Sequence, residues 1–308
     1  MLRVTFLGTA SSRPTVRRNV SSLAVQRGGD VFLFDCGEGT QRQMMRFGVG
    51  FTVRDVFISH LHADHYLGLP GLLRTLSLQG RREEIVVWGP AGSHALLRAA
   101  AEIGGDRFSF PLHLREIPAG SAVRFDGYEI RAFPTDHAAG STGLALVEDV
   151  RPGRFDPDRA AELGIPPGPD YGRLQRGETV RLAGGREVRP DEIVGPPRPG
   201  RTLVYSSDTR PSDAVEAAAR GADLLIHEAT FSEDERQRAD ETRHATAAQA
   251  GALARRAGVA RLILTHFSAR HAEQPRRLVR EARREFAAVE AAEDGMVVEV
   301  PLRDGTGP

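Results

Sequence analysis

Residues 59–71 read SHLHADHYLGLPG, and this stretch constrains the fold of the chain more than any other. Three histidines and one aspartate fall within six of its positions: His60, His62, Asp64 and His65. The apolar run at 55–59 is typical of a buried strand, and the leucines after the cluster recur at helical spacing. The cluster therefore lies where a strand ends and a helix begins, which is where open α/β sheets hold their binding sites.

The side chains of this cluster suit a metal ion. Imidazole and carboxylate groups bind zinc and similar first-row ions, and a turn at a strand end can direct the alternate side chains His60 and His62 at one ion. Asp64 and His65, at the start of the helix, can face a second ion. The competing interpretation is a charged capping turn with incidental histidines, and the spacing favours the metal site.

Composition narrows the class of protein. A chain of 308 residues can bury a sizeable core, as one large domain or two small ones. Its formal net charge of zero excludes a nucleic-acid-binding protein that is basic throughout, although a local basic site is still possible. All 41 basic residues are arginine, whose planar guanidinium matches phosphate.

Cysteine content and hydropathy indicate the cellular compartment in which the protein is expected. The single cysteine, Cys36, excludes intramolecular disulfides and a thiolate metal cluster. The apolar stretch at the N-terminus is too short for a signal peptide, and no stretch approaches the roughly 18 apolar residues of a membrane span. We expect a cytoplasmic protein that does not contact a membrane.

Strand-like and helix-like segments alternate in two halves of the chain. This predicts an α/β fold, a four-layer αββα sandwich in which helices cover two facing sheets, within one domain over residues 1–308. The predicted strands are 3–7, 23–26, 31–35, 56–59, 85–88, 128–133, 144–147, 202–206, 224–227, 262–266 and 297–300. The predicted helices are 39–46, 65–78, 93–102, 212–219, 246–257 and 275–289.

Residues 151–200 interrupt the second half. They contain nine of the 19 prolines and nine of the 33 glycines, a density that opposes a packed core element. One interpretation is a disordered linker. Apolar residues recur inside the segment, however, and favour an inserted, protruding arm with structure at its tip: Phe155, Leu163, Ile165, Tyr171 and Leu174. Nine arginines against eight acids leave this arm almost neutral.

Three further residues join the cluster by their position. His137, Asp208 and His266 each lie at or just after the end of a predicted strand, as His60 does. Taken singly, each could be a capping aspartate or an ordinary histidine. Their shared placement predicts seven ligands at one edge of the sheets, enough for two ions.

The pattern HxHxDH at 60–65, with these three residues, resembles the metal-binding pattern of the metallo-β-lactamase superfamily of hydrolases. More narrowly, the chain is similar to the ribonuclease Z family, the endonucleases that mature the 3′ ends of transfer RNA. This resemblance covers nearly the whole chain. It is carried by RPTVRRNVSSL (13–23), FDCGEGTQRQ (34–43), HYLGLPGLL (65–73), the Gly/Pro-rich arm, SDTRP (207–211), HEATF (227–231), HATAAQA (244–250) and THFSAR (265–270).

The resemblance implies two Zn²⁺ ions, with other divalent ions possible. One ion is held by His60, His62 and His137, the other by Asp64, His65 and His266, and Asp208 bridges them. A hydroxide between the ions, oriented by Asp64, then attacks the phosphodiester of precursor tRNA. The products are a tRNA with a 3′-OH and a trailer with a 5′-phosphate.

The resemblance also implies a proton donor for the leaving oxygen. His244 matches the proposed general acid of the family, and Glu228 could fix its tautomer through a hydrogen bond. The alternative for His244 is a residue that merely starts a helix beside the true cap.

Substrate contacts follow from the same resemblance. The loop with Arg13, Arg17, Arg18 and Asn19 would grip phosphates near the cut, and Ser268 and Arg270 would contact a nearby phosphate or the terminal nucleotide. The arm matches the family's exosite for the tRNA elbow, which at its Gly/Pro-rich centre comprises Gly164, Pro167, Gly168 and Pro169. The family also implies a homodimer.

Three positions depart from the family pattern, and two other functions compete. Val16 stands where the family commonly has lysine, Ala63 where it has glycine, and His271 where it has an aromatic residue.

The first competing function is a small-molecule phosphodiesterase or aryl sulfatase of the same fold, which would have no use for the arm. The second is a non-catalytic RNA-binding member, against which the complete ligand set argues.

Overall fold

The structure is a computed structural model, and it describes residues 1–105 and 107–303. The chain divides into two compact units: Met1–Val147 with Thr202–Pro301, and Glu148–Arg201 with the C-terminal residues from Leu302. The single domain expected over residues 1–308 stays a prediction. Its residue 106 and residues 304–308 lie outside the described part of the chain.

The elements have the following bounds. The strands are β1 (Leu2–Gly8), β2 (Ser22–Arg27), β3 (Asp30–Phe34), β4 (Asp55–Phe57), β5 (Ile85–Gly89), β6 (Leu112–Glu116), β7 (Ala122–Phe125), β8 (Tyr128–Pro134), β9 (Thr142–Glu148), β10 (Val180–Arg181), β11 (Glu187–Val188), β12 (Thr202–Tyr205), β13 (Leu224–Glu228), β14 (Leu262–Thr265), β15 (Val289–Ala291) and β16 (Val297–Glu299). The helices are α1 (Thr40–Arg46), α2 (Ala63–Tyr66), α3 (Leu69–Leu78), α4 (His94–Glu102), α5 (Pro157–Glu162), α6 (Pro169–Gln175), α7 (Asp213–Ala219), α8 (Arg236–Thr242), α9 (Ala247–Ala257) and α10 (Arg276–Glu285).

Two seven-stranded mixed sheets form the first unit. One has the order β16-β1-β2-β3-β4-β5-β6, and its last four strands run parallel. The other has the order β15-β14-β13-β12-β9-β8-β7, with β12 to β15 parallel. Because parallel strands end at the same edge of a sheet, the loops after them come together.

Alternate residues of the central strands enter different layers. Phe32 and Phe34 of β3 pack in the core between the sheets, whereas Leu33 packs on the outer face with residues of α3. On the second sheet, Ile226 faces the shared core and Leu225 faces α9. A strand buried on both faces is apolar at successive positions, which explains the continuous apolar runs of the sequence.

Helices cover the outer face of each sheet. Residues of α1, α3 and α4 pack on the first sheet, and residues of α7, α9 and α10 pack on the second. The predicted four-layer αββα architecture is confirmed.

Two predicted helices have different bounds. The helix predicted at 65–78 is two helices, α2 and α3, because the chain turns at Gly68 against the preceding loop. A Cβ atom on Gly68 would lie 2.0 Å from the carbonyl oxygen of Gly37, so only glycine permits this approach. The helix predicted at 275–289 ends at Glu285, and Val289 instead starts β15, which pairs with β14.

Several short elements were not predicted. β6 and β7 are edge strands with partly exposed side chains, and α8 buries only Ala239. Such elements have little apolar periodicity to detect.

The arm is a folded unit, so the disordered-linker interpretation is wrong. It contains α5, α6 and the β10–β11 hairpin around a small core: Ala160, Leu163, Ile165, Leu174, Val180, Val188 and Ile193. At its ends, the guanidinium of Arg201 donates two hydrogen bonds of 2.7 Å to the carboxylate of Glu148, and both residues are buried.

Among the described residues, no helix is both long enough and apolar enough to cross a membrane.

Candidate metal centre

The seven predicted ligands lie together beyond the strand ends. The loop between β4 and α2 carries His60 and His62, and α2 itself carries Asp64 and His65. His137, Asp208 and His266 come from the segments after β8, β12 and β14. Their ligand atoms form two groups, each spanning at most 4.8 Å: His60, His62, His137 with Asp208, and Asp64, His65, His266 with Asp208.

Asp208 is common to both groups. Its Oδ2 atom lies 3.7 Å from Nε2 of His60 and 3.4 Å from Nε2 of His65, and its Oδ1 atom lies 3.2 Å from Nε2 of His266. One carboxylate can therefore face two ions at once.

Unpaired buried atoms test whether these residues fit metal ions. Among the described residues, Nε2 of His60, Nε2 of His65 and Oδ1 of Asp208 are buried without a hydrogen-bond partner. Buried polar atoms are normally paired, and these three point into one cluster of nitrogen and oxygen donors. The donor set suits zinc or a similar divalent ion. The fold and the two clusters together indicate divalent metal binding.

The surroundings of the cluster keep two carboxyl groups ionised and one imidazole neutral, which are the forms that bind a metal. Burial by itself would raise the pKa of Asp64, but the neighbouring His65 and His266 outweigh it and hold that pKa below its usual range. Burial would likewise raise the pKa of Asp208, which His266 and His65 lower instead. Burial lowers the pKa of His60 and keeps its imidazole neutral, the form that binds a metal.

Asp35 contacts the ring nitrogen of His65 that faces away from the cluster. Its Oδ2 atom lies 2.7 Å from Nδ1 of His65 and accepts hydrogen bonds from the hydroxyls of Tyr205 and Ser59. The backbone N–H of Ser59 donates to its other oxygen at 2.8 Å. This network fixes the imidazole so that Nε2 faces the cluster.

Other ligands are oriented in the same way. Nδ1 of His266 lies 2.9 Å from the hydroxyl of Thr230, and Nδ1 of His137 lies 3.0 Å from the carbonyl oxygen of Arg243. In each ring the Nδ1 atom is engaged, which directs Nε2 towards Asp208.

His244 and Glu228 form a pair beside the ligands. Nδ1 of His244 lies 2.8 Å from Oε1 of Glu228, and the His244 ring packs against those of His137 and His266. The buried carboxylate of Glu228 also accepts hydrogen bonds from Thr209, Thr230 and the backbone of Ala245. Burial by itself would lower the pKa of His244, but Glu228 outweighs burial and raises it to about 9.

Backbone strain is concentrated at the same place. Five non-glycine residues of the described chain have positive φ: Ser12 (43°), Asp35 (60°), Ser207 (53°), Arg243 (55°) and His266 (58°). Each is a predicted ligand, adjoins one or hydrogen-bonds to one. The backbone N–H of Ser12, for example, donates to Oδ2 of Asp64 at 2.8 Å. Conformations of this kind cost about 1 kcal/mol or more each, and they persist where the surroundings hold a functional geometry.

The predicted phosphate loop divides into exposed and internal residues. Arg13 and Arg17 are exposed. The guanidinium of Arg18 is buried and donates to the carbonyl oxygens of Ala272 and Ala292 and to the hydroxyl of Thr9. These internal hydrogen bonds engage Nε and Nη1 of Arg18, and the phosphate contact predicted for this residue stays a prediction.

Asn19 is also partly internal, since its side chain donates to the carbonyl oxygen of Glu38. Ser268 is half-buried, and the exposed Arg270 donates to the carboxylate of Glu235 at 2.7 Å. Gly164, Pro167, Gly168 and Pro169 are all exposed on the arm.

The departures from the family pattern leave the ligands in place. Ala63 is the first residue of α2 and has no positive φ, so its Cβ atom causes no strain. Val16 is fully exposed. Nε2 of His271 lies 2.6 Å from the carboxylate of Glu235, the same group that receives Arg270.

The sequence interpretation missed Asp35 and Thr230. Both stand inside segments that carried the resemblance, FDCGEGTQRQ and HEATF, and Asp35 follows an apolar run that predicts a buried strand. An acid at the end of a buried strand was a signal that could have been used. Thr230 had none, because its role depends on contact with His266, which is 36 residues further along the chain.

Comparison with known proteins agrees with this geometry. A family model described as "Anti-Pycsar protein Apyc1" matches residues 2–152, and one described as "Beta-lactamase superfamily domain" matches residues 193–267. The crystal structure of human tRNase Z, short form, superposes with a TM-score of 0.69 at 27% identity, over 97% of this chain and 100% of that one. The two facing sheets and the cluster at their strand ends define a protein of the metallo-β-lactamase fold.

Full-length relatives identify the family. The chain is 53% identical to Ribonuclease Z of Myxococcus xanthus over 99% of both chains. It is 51% identical to Ribonuclease Z of Gemmatimonas aurantiaca over 98% of this chain and 97% of that one. The chain belongs to the ribonuclease Z family.

Proposed function

We propose that this protein is an endoribonuclease that removes the 3′ trailer from precursor tRNA and uses two zinc ions per subunit. The observation that carries the proposal is the 53% identity to a Ribonuclease Z over nearly the full length of both chains. The complete set of seven ligands supports it further. The identity favours this activity over a small-ester hydrolase, and the complete ligand set favours it over a non-catalytic RNA-binding protein.

Two groups of donors around Asp208 fit two ions. His60, His62 and His137 would hold the first, and Asp64, His65 and His266 the second, with the Asp208 carboxylate facing both. When bound, such ions acidify water and stabilise the charge that develops on a phosphodiester during hydrolysis.

The protein's own residues then orient the water and move protons. Oδ2 of Asp64 is already held by the N–H of Ser12, so its carboxylate has a fixed direction from which to orient a water molecule. Nδ1 of His244 is held by Glu228, and its Nε2 has no hydrogen-bond partner among the described residues. That nitrogen can protonate the leaving 3′ oxygen.

RNA contacts extend beyond the metal centre. Exposed Arg13 and Arg17, with Ser268 and Arg270, would hold phosphates or the terminal nucleotide near the cut. The folded arm would act as an exosite for the tRNA elbow, recognising shape through a nearly neutral surface. We also propose a homodimer, on family resemblance, and a cytoplasmic location, where its substrate is made.

The test compares the intact protein with a variant whose residues 151–200 are replaced by a short linker. This variant keeps the buried pair of Glu148 and Arg201 at the ends of the arm. Both are given an end-labelled precursor tRNA with a 3′ trailer and, in parallel, bis(p-nitrophenyl) phosphate.

The intact protein should cut at the end of the acceptor stem, and the armless variant should lose this cleavage while still hydrolysing the small ester. If the intact protein leaves the precursor uncut and hydrolyses the small ester, the tRNA assignment is wrong. Equal cleavage by both proteins would remove the exosite from the proposal.

A further inference from the structure

The helix α10 presents an arginine-rich face that the proposed chemistry does not use. Arg276, Arg280 and Arg283 follow the helical spacing i, i+4, i+7 and are exposed. The buried residues Leu278 and Ala282 anchor the opposite side of the helix. Like charges at this spacing repel one another, so the arrangement is unfavourable for the helix itself.

Most arginines near this helix are paired, but those on this face are not. Arg277 bonds to Asp234 and Glu281, and Arg255 bonds to Glu285. Within the described part of the chain, Arg276 and Arg280 have neither a hydrogen bond nor an ion pair, and Arg283 donates only to the carbonyl oxygen of Val289. These three guanidinium groups have donors available for a ligand.

The three arginines line one open groove together with Arg17. Three acids also line it, Glu273, Glu293 and Asp294. The carboxylate of Asp294 is turned to internal donors, among them the backbone of Asn19 and the side chain of Gln43. Glu273 pairs with Arg17 at 3.3 Å. Glu293 is the third acid, and the three arginines of α10 outnumber it, so the unpaired charge of the groove is positive overall.

One loop of the chain reaches from the groove to the candidate metal centre. Arg17 belongs to the loop in which the N–H of Ser12 donates to the predicted ligand Asp64. Arg18, in the same loop, fixes the loop to Ala272 and Ala292, which lie at the two ends of the segment that contains α10. A strand whose phosphate lies at the ligands can pass along this loop into the groove.

We propose that this groove is a phosphate-binding track for the RNA backbone beyond the nucleotides at the cut. The inference rests on the proposed function and deepens it. Guanidinium groups bind phosphate oxygens through paired donors, and a helical row of them matches a repeating phosphate backbone. Two parts of one substrate have this chemistry, the 3′ trailer and the body of the tRNA.

The test uses the full chain with Arg276→Ala, Arg280→Ala and Arg283→Ala combined. The matched control is Arg255→Ala, Arg256→Ala and Arg261→Ala, which removes three arginines that have acidic partners in Glu285, Glu216 and Glu290. Thermal unfolding and hydrolysis of bis(p-nitrophenyl) phosphate separate damage to the fold or the metal centre from loss of RNA binding.

For the groove variant, kcat/KM on precursor tRNA should fall about tenfold at physiological salt, because roughly three phosphate contacts are lost. Each lost contact to single-stranded RNA lowers the slope of log Kd against log salt by about 0.7, so the slope should fall by about 2. The control should change neither quantity.

Two trailer lengths distinguish the sources of phosphate. A loss confined to precursors with a long trailer assigns the groove to the trailer, whereas an equal loss with a two-nucleotide trailer assigns it to the tRNA body. An unchanged kcat/KM and salt slope at both lengths overturns the proposal.

A separate measurement keeps this test independent of the proposed function. Fluorescence anisotropy with a 12-nucleotide oligouridine gives the salt slope without any cleavage. If the unaltered protein does not cut precursor tRNA, the proposed function fails. The proposal that the groove binds RNA phosphates is still tested by whether this slope falls in the groove variant.

Discussion

Oδ2 of Asp35 lies 2.7 Å from Nδ1 of the predicted metal ligand His65, and both side chains are fully buried. A carboxylate in this position fixes the tautomer of the imidazole and raises its basicity as a ligand. Asp35 adopts a left-handed backbone conformation to reach it. The candidate metal centre therefore depends on a residue outside the predicted ligand set.

Asp35→Asn should weaken metal binding about 10- to 100-fold, because the amide cannot support His65 as a carboxylate does. The measurement is competition for zinc against a chelator of known affinity, with precursor cleavage followed at limiting and excess zinc. Excess zinc should restore much of the activity. Asp30→Asn, which alters a carboxylate bonded to Tyr128 instead of a ligand, is the control, and equal affinities for the two variants would contradict the prediction.

Asp208→Ala should remove more metal than any other single ligand substitution. Asp208 is the one residue shared by the two four-residue groups in the described part of the chain, so both ions lose a ligand. We expect two metals per chain in the unaltered protein and fewer than one in the variant, by elemental analysis. Asp136→Asn, beside His137 but paired with Arg210, should keep both, and retention of two metals by Asp208→Ala would refute the bridging assignment.

Glu228→Gln should shift the pH dependence of cleavage. Glu228 raises the pKa of His244 to about 9. A general acid must be protonated, so activity falls as the pH rises through this pKa. The variant lacks the carboxylate charge, the pKa of His244 falls, and the alkaline limb of the kcat/KM profile should move to lower pH.

The control for this profile is Glu233→Gln, whose carboxylate bonds to Thr246 and Arg236 and not to His244. An alkaline limb that stays in place in Glu228→Gln would show that His244 is not the proton donor or that Glu228 does not set its pKa.

Arg17 and Arg18 offer a matched pair of adjacent substitutions. Arg18→Met leaves three buried acceptors without a donor and should lower the free energy of unfolding by about 3 kcal/mol. Arg17→Met alters an exposed side chain and should change it by less than about 0.5 kcal/mol. Urea denaturation measures both, and comparable losses would contradict the structural role of Arg18.

The fold class and the grouping of the seven predicted ligands were predictable from sequence because their signals are local. Strands buried on both faces give continuous apolar runs, and four of the seven ligands, His60 to His65, fall within six positions beside such a run. The other three could be found because each stands at the end of a predicted strand. The interruption at residues 151–200 was equally visible in its proline and glycine content.

The tertiary structure alone decided which neighbours each side chain meets. Arg17 and Arg18 are indistinguishable in sequence, yet one is exposed and the other buried, because the packing of Ala272 and Ala292 determines where each guanidinium can go. The bond from Asp35 to His65 and the groove between Arg17 and α10 join residues from separate elements. Pairing patterns and burial of this kind arise only when distant segments pack, which is why local periodicity carried no trace of them.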